Sequence, residues 1–213
     1  MRSKKYILWD HDGVLVDTEP WYHEATCKAM AELGIQVDKK VYLDFMQDGK
    51  SLWSIAHDQG VSEKTISEQR RKRDAYYQDF LMNENIEIAG VEESLFILGK
   101  EYAMAIVTTS KRKDFELIHQ DRSIVKYMDF VLTVEDYSHS KPDPEPYLAA
   151  LHKYGAGPDE ALVIEDSGRG LKSALAAGID CIIVENVFTS THDFTKAKMV
   201  LKSLSELIKI LLK

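Results

Sequence analysis

Residues 5–17 read KYILWDHDGVLVD. The apolar run over 5–9 stops abruptly at Asp10, which reads as a short buried strand with polar groups at its carboxyl end. Runs of the same kind recur downstream at 102–107, 130–133, 162–164 and 181–184. Helix-like patterns lie between them at 91–99, 114–119, 144–154 and 168–177, the last closed by Gly178 as a C-terminal cap. An amphipathic helix is expected over 203–212. Strands and helices that alternate at this spacing predict an α/β fold, a doubly wound parallel sheet covered on both faces. Ligands of such sheets bind outside the carboxyl ends of the strands, and the polar clusters of this chain fall at those ends.

Residues 18–83 differ in texture. Apolar residues recur there at helical spacing (Ala25, Met30, Leu33, then Leu52, Ile55 and Ala56), and Ser62 is placed to cap a helix carrying Ile66, Tyr76, Tyr77 and Phe80. This stretch is expected to be an inserted, all-helical domain, with 1–17 and 84–213 forming the main domain.

The chain has 213 residues, 45% of them hydrophobic, which suffices for a core and argues against global disorder. Its formal net charge of −8 argues against a uniformly basic nucleic-acid binder. No apolar run reaches the roughly 18 residues of a membrane span, and the basic start lacks a signal peptide's long apolar stretch. Cys27 and Cys181 fit no CxxC pattern and are expected to be buried thiols. A cytoplasmic location, a monomer, and no membrane or nucleic-acid partner are expected.

Four clusters could carry chemistry. In Asp10-His11-Asp12-Gly13 two carboxylates flank one residue at a strand end, and the glycine permits a tight turn. One acid could attack an electrophile and hold a divalent metal, and the other could serve as general acid and base. Acidic glycine loops also make plain turns or bind calcium, although no Glu closes an EF-hand pattern here. In Thr108-Thr109-Ser110-Lys111, hydroxyls and N–H groups could hold a phosphate, or could simply begin a helix. Lys141, before Pro142, could project a fixed cation into an acidic site or be a solvated loop lysine. Glu165-Asp166-Ser167 puts two acids at another buried strand end. Such a pair is costly unless it is neutralised or binds metal, and Asp166 or Ser167 could equally cap the next helix. The nearby Gly168-Arg169-Gly170 lacks the third glycine of a dinucleotide fingerprint.

Taken in order, DHDGVLVDTEP, Thr108, SKPDPEPY and VIEDSGRGLKSALAAG resemble the haloacid dehalogenase superfamily of phosphotransferases. The closest likeness is to the subgroup that contains β-phosphoglucomutase and small-molecule phosphatases. The resemblance spans nearly the whole chain. It implies a Rossmann-like core with a small helical cap and a Mg²⁺ cofactor. Asp10 would be the nucleophile that forms an aspartyl-phosphate. Asp12 would protonate the leaving group and then deprotonate water, with its pKa raised by acidic neighbours. Mg²⁺ would be held by Asp10, the Asp12 carbonyl and Asp166, with Glu165 in support. Thr108 and Lys141 would hold the phosphoryl group. Thr109, Ser110, Lys111, Glu19, Gly49 and Lys50 would contact substrate.

Within the cap, Trp53 is read as core, His23 as a structural helix histidine, and the run Gln69-Arg70-Arg71-Lys72-Arg73 as a solvated helix face. His11 stands where the subgroup often has an apolar residue and is expected to meet substrate or cap. The presence of Asp12 argues against dehalogenase chemistry, because a departing halide needs no proton. The function this implies is a Mg²⁺-dependent phosphatase of small phosphomonoesters such as a sugar phosphate. The alternatives are a sugar phosphomutase of the β-phosphoglucomutase type and a non-catalytic binding protein that keeps the fold.

Overall fold

The structure, a computed structural model, describes residues 4–47 and 49–212. The first residues of the basic N-terminal stretch therefore lie outside the described residues. The chain forms two compact units, Met1–Asp17 with Glu87–Lys213, and Thr18–Ile86.

The first unit is built on a six-stranded sheet with β1 (Tyr6–Trp9), β2 (Ala103–Val107), β3 (Phe130–Leu132), β4 (Ala161–Glu165), β5 (Asp180–Val184) and β6 (Met199–Leu201). The order is β3-β2-β1-β4-β5-β6 and every pair is parallel. The chain builds outward from β1 on one side, then returns to add β4 on the other. The β1/β4 boundary is thus the point where strand order reverses, and a crevice opens at the carboxyl ends of the strands there. Register places Trp9 beside Ile164, so Asp10 and Glu165 leave their strands next to one another.

Period-two side-chain alternation divides the core into two layers. Ile7, Trp9, Ile106, Ile164 and Ile182 pack on one face with Leu95 and Leu98 of α5 (Val91–Leu98) and Leu204, Leu207 and Leu211 of α9 (Leu204–Leu211). Leu8, Val107, Val163, Cys181 and Ile183 pack on the other. Their partners are Tyr147, Ala150 and Leu151 of α7 (Glu145–Tyr154) and Leu171 and Ala174 of α8 (Gly168–Ala176). This unit also holds α6 (Arg112–His119). Gly178, just past α8, has φ +75°, the left-handed conformation of a helix-ending glycine.

Strand β6 was not foreseen from the sequence. It is a three-residue edge strand, Met-Val-Leu, with an exposed Val200, and its apolar run is too short to stand out from the sequence before its pairing to β5 is seen.

The second unit contains α1 (Glu19–Ala31), α2 (Lys39–Gln47), α3 (Trp53–Asp58) and α4 (Glu63–Asn83). Its core holds Ala29, Met30, Ile35, Trp53, Ala56 and Ile66. The Ser62 hydroxyl accepts from Thr65 N at 3.2 Å and so caps α4. The chain re-enters the first unit at Glu87, beyond the boundary expected at 83. Cys181 is buried, whereas Cys27 is only half-buried, its thiol donating to the Val37 carbonyl beside His23. Among the described residues, no helix is long and apolar enough to cross a membrane.

Candidate active site

The site is a set of buried polar groups at the carboxyl ends of β1, β2 and β4. After Asp10 the chain turns sharply: Leu15 N bonds to the His11 carbonyl at 2.8 Å, Gly13 N to the Val16 carbonyl at 2.8 Å, and Gly13 has φ +81°. A Cβ on Gly13 would lie 2.3 Å from Asp166 Oδ2, so this position requires glycine for both backbone and space.

Lys141 is the central cation. It is almost wholly buried and donates to Asp10 Oδ1 at 2.6 Å, Glu165 Oε1 at 2.8 Å and the Val107 carbonyl at 2.8 Å. Burial works against its charge, but Asp10 and Glu165 outweigh burial and hold the ammonium raised above the ordinary lysine range. It is not a solvated loop lysine. Its peptide bond to Pro142 is cis.

The oxygens of Glu165 are committed to positioning. Oε1 accepts from Lys141 and from the Tyr147 hydroxyl at 3.0 Å. Oε2 accepts from Asp166 N, Ser167 N and Ser167 Oγ. The Ser167 hydroxyl in turn accepts from Gly170 N and caps α8, so this cluster both caps a helix and serves the site. Burial pushes the Glu165 carboxyl up, and Lys141 and the Ser167 contacts more than reverse this, leaving it lowered. Asp166 Oδ2 accepts from Asn186 Nδ2 at 2.7 Å.

Asp10, by contrast, is pushed up to about 7, first by burial and then by Glu165, with Lys141 pulling the other way. Carboxylate oxygens of Asp10, Glu165 and Asp166 lie within 4.8 Å of one another, and all these residues are buried. Three acids facing one ammonium leave an excess of negative charge. That arrangement, with hard oxygen donors throughout, fits a divalent cation such as Mg²⁺.

Asp12 faces β2. Its Oδ2 accepts from Ser110 Oγ at 2.5 Å and Thr108 Oγ1 at 3.2 Å, and lies 3.3 Å from His11 Nδ1. Thr108 is fully buried and its hydroxyl accepts from Ser110 N at 3.0 Å. The Thr109 hydroxyl takes a different partner, accepting from Arg169 Nη2 at 3.2 Å. Lys111 occupies the N-cap position of α6.

The structure thus gathers Asp10, Asp12, Thr108, Ser110, Lys141, Glu165 and Asp166. Glu19, Gly49 and Lys50 belong to the helical unit. There Glu19 accepts from the Tyr42 hydroxyl at 2.8 Å, and Gly49 and Lys50 close the end of α2 through backbone bonds to Met46 and Phe45. His23 packs edge-on against the Tyr42 ring, and Trp53 is buried in that unit's core. The basic run on α4 is not uniformly solvated. Gln69 is buried, and the Arg73 guanidinium lies over the Tyr22 ring at 4.4 Å.

His11 is not presented to a substrate. Its ring is completely buried, 4.9 Å from Phe115 and 5.0 Å from His119 between centroids, with His119 Nε2 2.8 Å from His11 Nε2. Sequence reasoning also missed Tyr147, Asn186, His119 and His192, whose Nδ1 accepts from Gly168 N at 3.1 Å. Tyr147 closes the SKPDPEPY stretch without being marked there as a site residue, and the other three sit in no motif; the packing of the fold brings them to the site.

A model of haloacid dehalogenase-like hydrolases matches residues 7–184. This chain belongs to that family. It is 28% identical over 203 residues to a phosphorylated carbohydrates phosphatase of Thermotoga maritima, covering 92% of this chain and 90% of that one. It is 28% identical over 206 residues to the validoxylamine A 7'-phosphate phosphatase of Streptomyces hygroscopicus subsp. limoneus, covering 95% of each. The crystal structure of CbbY from Rhodobacter sphaeroides in complex with phosphate shares the fold. Its TM-score is 0.82 at 23% identity, covering 96% of both chains.

Proposed function

We propose that this phosphohydrolase is a Mg²⁺-dependent phosphatase of small phosphomonoesters, sugar phosphates or similar metabolites, working through an aspartyl-phosphate. The observation that carries the reading is Lys141 Nζ bonded to Asp10 Oδ1 at 2.6 Å, with Asp12 two residues on and turned toward Thr108 and Ser110. One carboxylate is held by a buried cation, and the other is held apart from it among hydroxyls. That division suits a nucleophile and a general acid–base. The two phosphatase relatives, one named for phosphorylated carbohydrates, support the substrate class.

In this reading Asp10 attacks phosphorus, forming an Asp10 O–P bond while the bond from phosphorus to the substrate oxygen breaks. Asp12 gives its proton to that departing oxygen. It then takes a proton from a water that attacks the aspartyl-phosphate, which releases inorganic phosphate and regenerates Asp10. Lys141 and the Thr108 hydroxyl offset charge on the phosphoryl oxygens. Asp10, Asp166 and the Asp12 carbonyl would hold Mg²⁺, supported by Glu165. When bound, the ion supplies positive charge that offsets repulsion between carboxylates and a phosphate dianion. Thr109, Ser110 and Lys111 are assigned to substrate contact. The helical unit, with Glu19, Gly49 and Lys50, is assigned to substrate choice on the sequence resemblance.

The test is phosphate release from a panel of sugar phosphates, phosphoglycolate, nucleotides and a chromogenic ester, with Mg²⁺, with EDTA, and with Asp10→Asn. Release that needs both Mg²⁺ and Asp10 is expected. Release that survives Asp10→Asn would overturn the reading.

A further inference from the structure

Asp12 does not face the crevice alone. Behind it stands a buried file of rings: His11 Nδ1 lies 3.3 Å from Asp12 Oδ2, and His11 Nε2 lies 2.8 Å from His119 Nε2. Phe115, one helical turn before His119 on α6, packs against both imidazoles, with centroids at 4.9 and 4.4 Å. His11 is wholly enclosed, and His119 Nδ1 is buried with no hydrogen-bond partner among the described residues.

Donor and acceptor arithmetic sets the tautomers. Two nitrogens at 2.8 Å must share one hydrogen, so one ring donates and the other accepts. If His11 donated, a neutral His119 would carry its own hydrogen on Nδ1, a buried N–H with nothing to receive it. An orphaned buried donor is the rarer and costlier outcome. His119 therefore carries its hydrogen on Nε2 and donates to His11, and its bare Nδ1 is a buried acceptor without a hydrogen-bond partner among the described residues. His11 Nε2 is then the acceptor, which puts the hydrogen of the neutral ring on Nδ1, facing Asp12 Oδ2. That oxygen already accepts from the Ser110 and Thr108 hydroxyls, so the His11 N–H is a third donor that fixes it as an acceptor.

We infer that His11 and His119 form a positioning pair for the general acid–base. His119 Nε2–H donates to His11 Nε2, and His11 Nδ1–H donates to Asp12 Oδ2, so that the transferable proton of Asp12 resides on Oδ1. The pair touches no reacting atom. It acts by holding one carboxylate oxygen so that the other is aimed. The inference rests on the role proposed for Asp12. The tautomers follow from geometry alone and can be tested without turnover.

The experiment has two arms, on the full chain. Imidazole ¹⁵N NMR of the wild-type protein should show two neutral rings of opposite tautomer, His11 with hydrogen on Nδ1 and His119 with hydrogen on Nε2. A His11 ring with hydrogen on Nε2 would overturn the pair. The kinetic arm compares His119→Phe, which keeps the ring packing, with His119→Gln, which keeps an amide donor. His119→Phe should lower kcat about 10-fold with KM little changed, and His119→Gln should recover part of the loss. A shift in KM alone, or equal loss in both variants, would overturn the positioning role. If no phosphomonoester is turned over by the wild type while the tautomers are as stated, the phosphatase reading fails and the hydrogen-bonded pair stands.

Discussion

Lys141 reaches Asp10 across 131 positions of sequence, its Nζ 2.6 Å from Asp10 Oδ1. The same ammonium binds Glu165, so one cation holds two buried carboxylates at the carboxyl ends of strands adjacent in the sheet. Such a group cannot be removed without consequence. Lys141→Ala leaves both acids facing one another without their shared partner, and breaking a buried ion pair in this way costs about 3–5 kcal/mol. Urea unfolding should show that loss. Phosphate release should fall by roughly 100-fold or more, because the positive charge aimed at the phosphoryl group goes with it. A variant as stable and active as wild type would mean the triad is not as described.

Gly170 is required for a different reason. Its backbone dihedrals are ordinary, but a Cβ there would lie 1.7 Å from Glu165 Oε1 and 1.9 Å from its Cδ. Gly170→Ala must push Glu165 aside, and with it the bonds to Lys141, Tyr147 and the start of α8. Overpacking of this kind costs about 1–3 kcal/mol. Lower stability and lower phosphate release should appear together. Loss of neither would show that Glu165 has room to move.

This glycine also shows where reading the sequence stops. Gly168-Arg169-Gly170 looks in sequence like a fragment of a nucleotide loop, whereas in three dimensions Gly170 is the space into which Glu165 fits. Strands β1, β4 and β5 were legible because they are near-continuous apolar runs, the pattern of a parallel sheet buried on both faces. Asp10, Asp12, Thr108, Lys141, Glu165 and Asp166 were legible because each follows such a run or stands in a recognisable motif. Asn186 and His119 were not, because a loop or helix face supplies them singly and only the packing of the sheet brings them inward, and Tyr147, although inside SKPDPEPY, reads there only as a helix residue. His11 was visible, yet its direction was not. Burial against Phe115 turns it away from where its neighbours point.

Asn186 gives a test of the cation site that replaces no proposed ligand. Its Nδ2 donates to Asp166 Oδ2 at 2.7 Å, and its Oδ1 accepts from Phe188 N and Thr189 N, so the amide is clamped. Asn186→Ala removes one of the bonds that orient Asp166. The Mg²⁺ concentration for half-maximal phosphate release should rise about 10-fold, with activity recovered at saturating Mg²⁺. Direct calorimetric titration with Mg²⁺ should show the same weakening. Unchanged Mg²⁺ dependence would remove Asp166 from the proposed cation site.

The His119 ring makes a prediction for stability against pH. Burial is the main influence that lowers its pKa from the ordinary 6.5 to about 3, aided by His11 and Arg122 and opposed by Asp12. Between those values the unfolded chain carries a proton on this ring that the folded chain does not. Unfolding then takes up a proton, so stability rises with pH across this window. The contribution is complete above pH 6.5 and declines as pH falls toward about 3. His119→Phe removes the titrating group and keeps the ring. Its unfolding free energy should therefore fall less steeply with acidification than that of wild type, by at most about 1.4 kcal/mol per pH unit. The comparison uses slopes, so a constant offset from repacking does not disturb it. Parallel stability curves for the two proteins through this window would show that folding does not lower the His119 pKa, and the stabilisation ascribed to its burial would then be wrong.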